Sequence, residues 1–228
     1  SVIKSVNVSF EEYRFDDACN TIYHFVYEKF CSWFIELSKG ILNSENTAMK
    51  AQRANVLKYG FRQIVKLLHP VCPFITEELW ISLKKESEDL LIVQDFPTYR
   101  ADHEFSSDQE DMEKFIEITT AIRNLRNTVN IKPKEEVEIR LFTDDEKVAR
   151  YLYKSRGFFK ELANVKAGKI KDKSIDRPAK SVMKATAHTE VYIALEGVID
   201  INTYIEKLER DLKKVQDEHG KVDKKLSN

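Results

Sequence analysis

The sequence predicts an α+β fold, mainly α, from three successive rhythms of apolar residues. Helical spacing runs from Phe15 to about Val129, alternation sets in at Val137, and a heptad follows through Ile201, Ile205, Leu208, Leu212, Val215, His219, Val222 and Leu226. The corresponding division is a helical bundle over 1–127, a small α/β junction unit over 128–200 and a coiled-coil helix over 201–228. With 228 residues, 42% of them hydrophobic and 11% aromatic, the chain has enough apolar surface to bury a core. A formal net charge of -1 argues against indiscriminate binding of polyanions, so any such site has to be local.

Within the bundle, Phe15, Ala18, Ile22, Val26, Trp33 and Leu37 mark one face of a helix, and Tyr23, Tyr27, Phe30 and Phe34 mark a second. That pattern predicts an element buried on most of its circumference. Asp16 and Asp17 suit the positive end of its dipole. A second helix is expected over about Thr47 to His69, packing through Ala54, Leu57, Phe61, Ile64, Val65 and Leu68. Its outer face stacks Lys58, Arg62 and Lys66 at four-residue spacing, with no acidic residue between Glu45 and Glu77, so either an anion or carboxylates from neighbouring helices must balance them. Pro70 stops this helix and Pro73 opens the next, where Glu77 and Glu78 lie near the N-terminus. Consecutive helical residues point about 100° apart, so these two carboxylates do not make an acid/base pair. After a polar connector, a long helix runs from about Ser107 to Val129. Phe115, Ile118, Ile122 and Leu125 face inward there, with Arg123, Asn124 and Asn127 near a different face.

Val137, Ile139 and Leu141 alternate with Glu138 and Arg140 as in a half-buried strand, and Thr143-Asp144-Asp145-Glu146 is a good helix start. The helix should reach about Ala163; strands follow at 165–170, 181–187 and 190–196, the last two a hairpin around His188-Thr189. Lys169, Lys171, Lys173 and Lys180 make the intervening loop basic. In the heptad helix, Glu209, Asp211, Glu218 and Asp223 flank the seam, while Lys207, Arg210, Lys213, Lys214, Lys221 and Lys224 fall on the outer face. No returning helix precedes Asn228, so the seam is expected to be filled by another chain or by a strand of a helical hairpin absent from this sequence. Cys19, Cys31 and Cys72 are too few and too widely spaced for a disulfide framework or a zinc site, which predicts buried thiols in a reducing compartment. The sequence shows neither an apolar run of membrane-spanning length nor a signal-peptide pattern, so the expected location is cytoplasmic.

His69-Pro70, the run Pro73-Phe74-Ile75-Thr76-Glu77-Glu78-Leu79-Trp80, Phe96-Pro97 and Ala121-Ile122-Arg123-Asn124-Leu125-Arg126 resemble, in that order, the anticodon-binding helical domain of class I aminoacyl-tRNA synthetases of the valine, isoleucine and leucine group. Tyr13-Arg14-Phe15-Asp16-Asp17-Ala18 and Phe30-Cys31-Ser32-Trp33-Phe34-Ile35-Glu36 are most similar to the bacterial-type valyl branch, and Leu195-Glu196-Gly197-Val198-Ile199-Asp200 resembles the entry to that branch's C-terminal coiled-coil arm. The resemblance implies a C-terminal fragment that binds valine tRNA by its anticodon limb and outer corner, inside a parent ligase that attaches valine using ATP with magnesium. It implies a monomeric parent and no DNA or membrane partner; the heptad gives the fragment a means of self-association. No cofactor, metal or catalytic residue is expected within the fragment. The signatures of the catalytic domain, of His-Ile-Gly-His and Lys-Met-Ser-Lys-Ser type, are missing, and Lys171-Asp172-Lys173-Ser174 resembles the second only superficially.

The candidate tRNA contacts follow from side-chain chemistry. Lys58, Arg62, Lys66, Lys207, Arg210, Lys213, Lys214, Lys221 and Lys224 are suited to phosphates, whereas Arg123, Asn124 and Asn127 also offer the forks and carboxamides that pair with base edges. Two other classes remain open: the same region of an isoleucyl or leucyl enzyme, and a non-enzymatic coiled-coil adaptor that dimerises through 201–228.

Overall fold

The computed structural model describes residues 1–171 and 178–226, the side chains of 167–169, 171 and 223–226 excepted. The chain forms two compact units, Ser1–Ser106 and Ser107–Asn228. The long helix that carries Arg123 belongs to the second unit from Ser107 onward.

The first unit is helical. α1 (Val2–Glu11), which the apolar rhythm from Phe15 does not announce, turns at Tyr13 through a positive φ of 58° into α2 (Phe15–His24). The helix then widens into a π-helical segment, Phe25–Ile35, and tightens again as α3 (Glu36–Leu42). Ser32 Oγ donates to the Tyr27 carbonyl five residues earlier at 2.6 Å, the spacing of a π-helix. The expected burial on most of the helix circumference is not found. Ala18 and Ile22 join Val6 and Leu67 in a core against Phe10, Val26 and Phe96, while Tyr23 and Tyr27 are 56% and 59% exposed, their rings 4.6 Å apart at the surface. The cysteines are also not buried as a group: Cys19 is half-buried and Cys31 and Cys72 are exposed.

α4 (Thr47–Leu68) starts where Asn46 Oδ1 accepts the Met49 amide, and it buries Ile64, Val65 and Leu67; Ala54, expected inside, is exposed. A Cβ on Gly60 would lie 3.2 Å from the Phe30 ring, so its missing side chain lets α4 approach the π-helical segment, and Phe61 stacks on the same ring at 6.5 Å. α5 (Pro73–Leu83) carries the Pro-Phe-Ile-Thr-Glu-Glu-Leu-Trp run, of which Thr76 and Trp80 are buried and Phe74 and Ile75 exposed. Thr76 Oγ1 donates to the Cys72 carbonyl and pairs with His69 Nδ1 at 2.8 Å, closing the corner. Glu77 accepts the Leu91 amide at 2.8 Å and the fully buried Trp80 donates its indole N–H to the Asp89 carbonyl at 3.0 Å, so both hold the connector that follows.

In the second unit, α6 (Ser106–Thr128) buries Phe115, Ile118, Ile122 and Leu125 as expected. β1 (Val137–Phe142), α7 (Glu146–Ala163) and β2 (Val165–Lys171) form a β-α-β crossover, and the hairpin of β3 (Ser181–Ala185) and β4 (Glu190–Ala194) completes a sheet of order β2-β1-β4-β3. β1 runs parallel to β2 and antiparallel to β4. Asp145 caps α7 by accepting the Lys147 and Val148 amides, which holds its carboxyl below the usual range. Phe115 of α6 packs on Phe159 of α7 with ring centroids 4.8 Å apart. α8 (Ile201–Leu226) follows as one helix, opened by Asp200, which accepts from the Asn202 and Thr203 amides and the Thr203 hydroxyl.

One polar side chain inside this unit joins three elements. Arg126, only 6% exposed, donates from Nη2 to the carbonyls of Lys132 at 2.8 Å and Glu135 at 2.7 Å, with longer contacts to Pro133 and Asn164. Burial pushes its pKa down, opposed by Glu135, but a guanidinium stays charged, so those carbonyls are what make its burial tolerable. Arg126→Lys keeps the charge and loses the fork. It should destabilise the unit by about 2 kcal/mol through carbonyls left unpaired, read as an earlier urea midpoint for the second unit; an unchanged midpoint would show that the clamp is dispensable.

Candidate nucleic-acid interface

The candidate cations on α4 diverge in their surroundings. Arg62 is turned to the protein: Nη1 donates to the Leu83 carbonyl at 2.8 Å, Nη2 pairs with Glu88 at 2.6 Å, and its Cζ lies 4.2 Å from the centre of the Trp80 ring. The side chains of Arg62 and Glu88 are 16% and 22% exposed. The carboxylate missing from the local sequence is thus supplied by the connector after α5, the second of the two balances open to this row. Lys66 reaches the Asp95 carbonyl with Nζ at 3.1 Å and stands 5.5 Å from the Trp80 ring. Lys58 is exposed at the edge of an apolar cleft lined by Phe30, Cys31, Ile35 and Phe61.

On α6 the three candidates also separate. Arg123 directs Nε and Nη2 to the Leu162 carbonyl at 3.0 and 2.9 Å, at the end of α7 where the helix dipole is negative. Asn124 and Asn127 are exposed. Asn127 lines a cavity of about 330 Å³ together with Arg123, Arg126, Glu161 and Asn164, so two carboxamides and two guanidinium groups meet one opening. Arg126 was not among the sequence candidates. Its signal was its position in Ala121-Ile122-Arg123-Asn124-Leu125-Arg126, one residue after Leu125 on the inward side of the helix, where a cation needs a specific reason to be.

α8 presents Lys207, Arg210, Lys213, Lys214 and Lys221 to solvent, with Lys214 near Asp211 at 3.9 Å and Arg210 Nε donating to the Glu206 carbonyl. The Lys224 side chain lies outside the described residues, as do the side chains of Lys169 and Lys171 and the whole of Lys173. The seam residues Ile205, Leu208, Leu212, Val215 and Val222 are each about half exposed, so no element among the described residues covers them. The candidates thus fall on separate elements, and no cluster of metal-binding side chains occurs among the described residues.

Residues 1–141 match the anticodon-binding domain of tRNA ligase, and the chain belongs to that family. More particularly, it is 33% identical over 226 residues to a valine–tRNA ligase of Geobacillus stearothermophilus, an alignment covering 99% of this chain and 26% of that protein. It is 30% identical to the valine–tRNA ligase of Bacillus subtilis, again over 99% of this chain and 26% of the relative, and 31% identical over 91% of this chain to that of Lactiplantibacillus plantarum, of which 23% is covered. The chain therefore spans about a quarter of the length of these relatives. No described helix is long and apolar enough to cross a membrane.

The Arg62–Glu88 pair has a pH signature. Glu88 is lowered to about 2 by the Arg62 hydrogen bond first and the Lys85 amide second, from an ordinary value of 4.5. A depressed carboxylate contributes stability that is complete above the unfolded value and is lost as pH falls through the folded one. The first unit should therefore lose stability between about pH 4.5 and 2, and Glu88→Gln should flatten that part of the profile in urea titrations. Superimposable slopes for the two proteins would remove the pair from the account of acid sensitivity.

Proposed function

We propose that this chain is the tRNA-binding C-terminal portion of a valine–tRNA ligase, recognising the anticodon limb and outer corner of valine tRNA. The observation that carries this reading is that similarity to valine–tRNA ligases continues past the family match at residue 141, through the α/β unit and into α8. The parent would attach valine to tRNA using ATP with magnesium in segments outside this chain, as a monomer in the cytoplasm. This portion contributes binding and no chemistry. The exposed Lys58, the half-buried Lys66 and the cations on α8 neutralise phosphates and hold register, while Asn124 and Asn127, beside the Arg123 and Arg126 guanidinium groups, are disposed to read unstacked bases. Titration with unmodified valine tRNA and an anticodon-substituted copy over a salt series tests the reading, and competition with isoleucine and leucine tRNAs separates the valyl assignment from its siblings.

Because Arg62 is engaged internally, Lys58→Ala with Lys66→Ala should flatten the log-log salt dependence by at most about two units, roughly 0.7 to 0.9 for each phosphate contact. Single Asn124→Ala and Asn127→Ala changes should alter the ratio of affinities for cognate and anticodon-substituted tRNA; equal losses on both would reject base reading. The exposed seam of α8 supports a coiled-coil arm, closed by a second helix or by another copy of the chain. A single helix of this length is marginal in water, so amides from Val215 to Lys221 should exchange rapidly in dilute monomer and slowly once a partner helix is present. Strong protection in a demonstrated monomer would contradict the missing-partner reading.

A further inference from the structure

We propose that the outward face of α7 is an additional RNA contact, taking a run of phosphates along Arg150, Lys154, Arg156 and Lys160 and one unstacked base on Tyr153. The proposal rests on the reading that the chain binds tRNA, and it concerns an element beyond the segment matched to the anticodon-binding family. From Lys147 to Lys160 the helix carries no carboxylate, and Glu146 and Glu161 stand only at its two ends. Each of the four named cations is exposed, and none forms an ion pair among the described residues. Cations crowded on one helix without interleaved acids repel, which is the condition an anion relieves.

The layout also fits a phosphate backbone with a base beside it. At about 100° per residue, Arg150 and Lys154 lie on one side of Gly157, and Tyr153, Arg156 and Lys160 on the other. A Cβ at Gly157 would meet nothing within 4 Å, so the strip between the two rows is open and low. Arg156 lies over the Tyr153 ring at 4.3 Å while that residue stays 61% exposed, giving an ordered aromatic and guanidinium surface of the kind on which unpaired bases stack. From Arg150 to Lys160 the helix rises ~15 Å, long enough for several consecutive phosphates. A membrane surface fits poorly, because the opposite face, with Val148, Leu152 and Phe159, is buried in the unit and has nothing to insert into lipid.

The test measures binding of the full chain to unmodified valine tRNA across a salt series, comparing the wild type, the combined Arg150→Gln, Lys154→Gln, Arg156→Gln and Lys160→Gln variant, Tyr153→Ala and Tyr153→Phe. The combined variant should flatten the log-log salt slope by about three units, Tyr153→Ala should weaken binding about tenfold with the slope retained, and Tyr153→Phe should restore affinity. If the combined variant does not reproduce the wild-type circular dichroism spectrum, the Tyr153 pair decides alone. Wild-type binding with unchanged slope and affinity in the variants would overturn the α7 contact while leaving the tRNA reading intact, and would turn attention to an acidic protein surface for that face. Absence of salt-dependent binding by the wild type itself would overturn both.

Discussion

The fork of Arg126 is the constraint on which the second unit depends. A buried guanidinium that forms no ion pair among the described residues has to be solvated by carbonyls, and those available belong to the chain between α6 and β1 and to the end of α7. Placing it therefore brings three elements to one point. Arg123, one turn earlier, does the same at the Leu162 carbonyl, where a cation also meets the negative end of α7. The exposed Asn124 and Asn127 are carried on a helix whose neighbouring turns are anchored in this way, and the cationic face of α7 is anchored from the opposite side. Rigid presentation of this kind lowers the ordering cost of binding a flexible polyanion.

The first unit uses a cation differently. Trp80 is fully buried, Arg62 and Lys66 lie over its ring, and Glu88 neutralises Arg62 from the connector. Here the cation closes the top of an apolar core and ties down a segment with little regular structure. Glu77 and the Trp80 indole act on the same connector through backbone groups. Thr76, Glu77 and Trp80 of the run around α5 are thus accounted for by corner geometry and by satisfaction of backbone polar groups, whereas Phe74 and Ile75 stand exposed.

The π-helical segment is the feature that hydrophobic spacing represented least well. A face counted at 3.6 residues per turn ceases to be a face once the turn widens after His24, so the stripe that links Tyr23 and Tyr27 to Phe30 and Phe34 does not persist: the two tyrosines are at the surface and Phe30 is inside against Phe61 and Gly60. The row Lys58, Arg62 and Lys66 shows the complementary failure. Spacing placed the three on one side of α4, but their partners, Glu88 and the Asp95 carbonyl, come from residues more than twenty positions away.

Local periodicity was sufficient for the helices from Thr47 and Ser106, for β1 and the β3–β4 hairpin, for the helix start at Asp145 and for the helix α8, because each depends on interactions within a few residues or on a face that repeats regularly. The ordered motifs were likewise enough to indicate the anticodon-binding family. Which cations are free to meet a phosphate was decided only in three dimensions. Arg62 and Arg123 look as available in sequence as Arg150 or Lys154, yet the former meet carbonyls or a carboxylate brought in by distant segments, and the latter remain at the surface. Charge availability is a property of the packed neighbourhood, and no pattern along a single helix contains it.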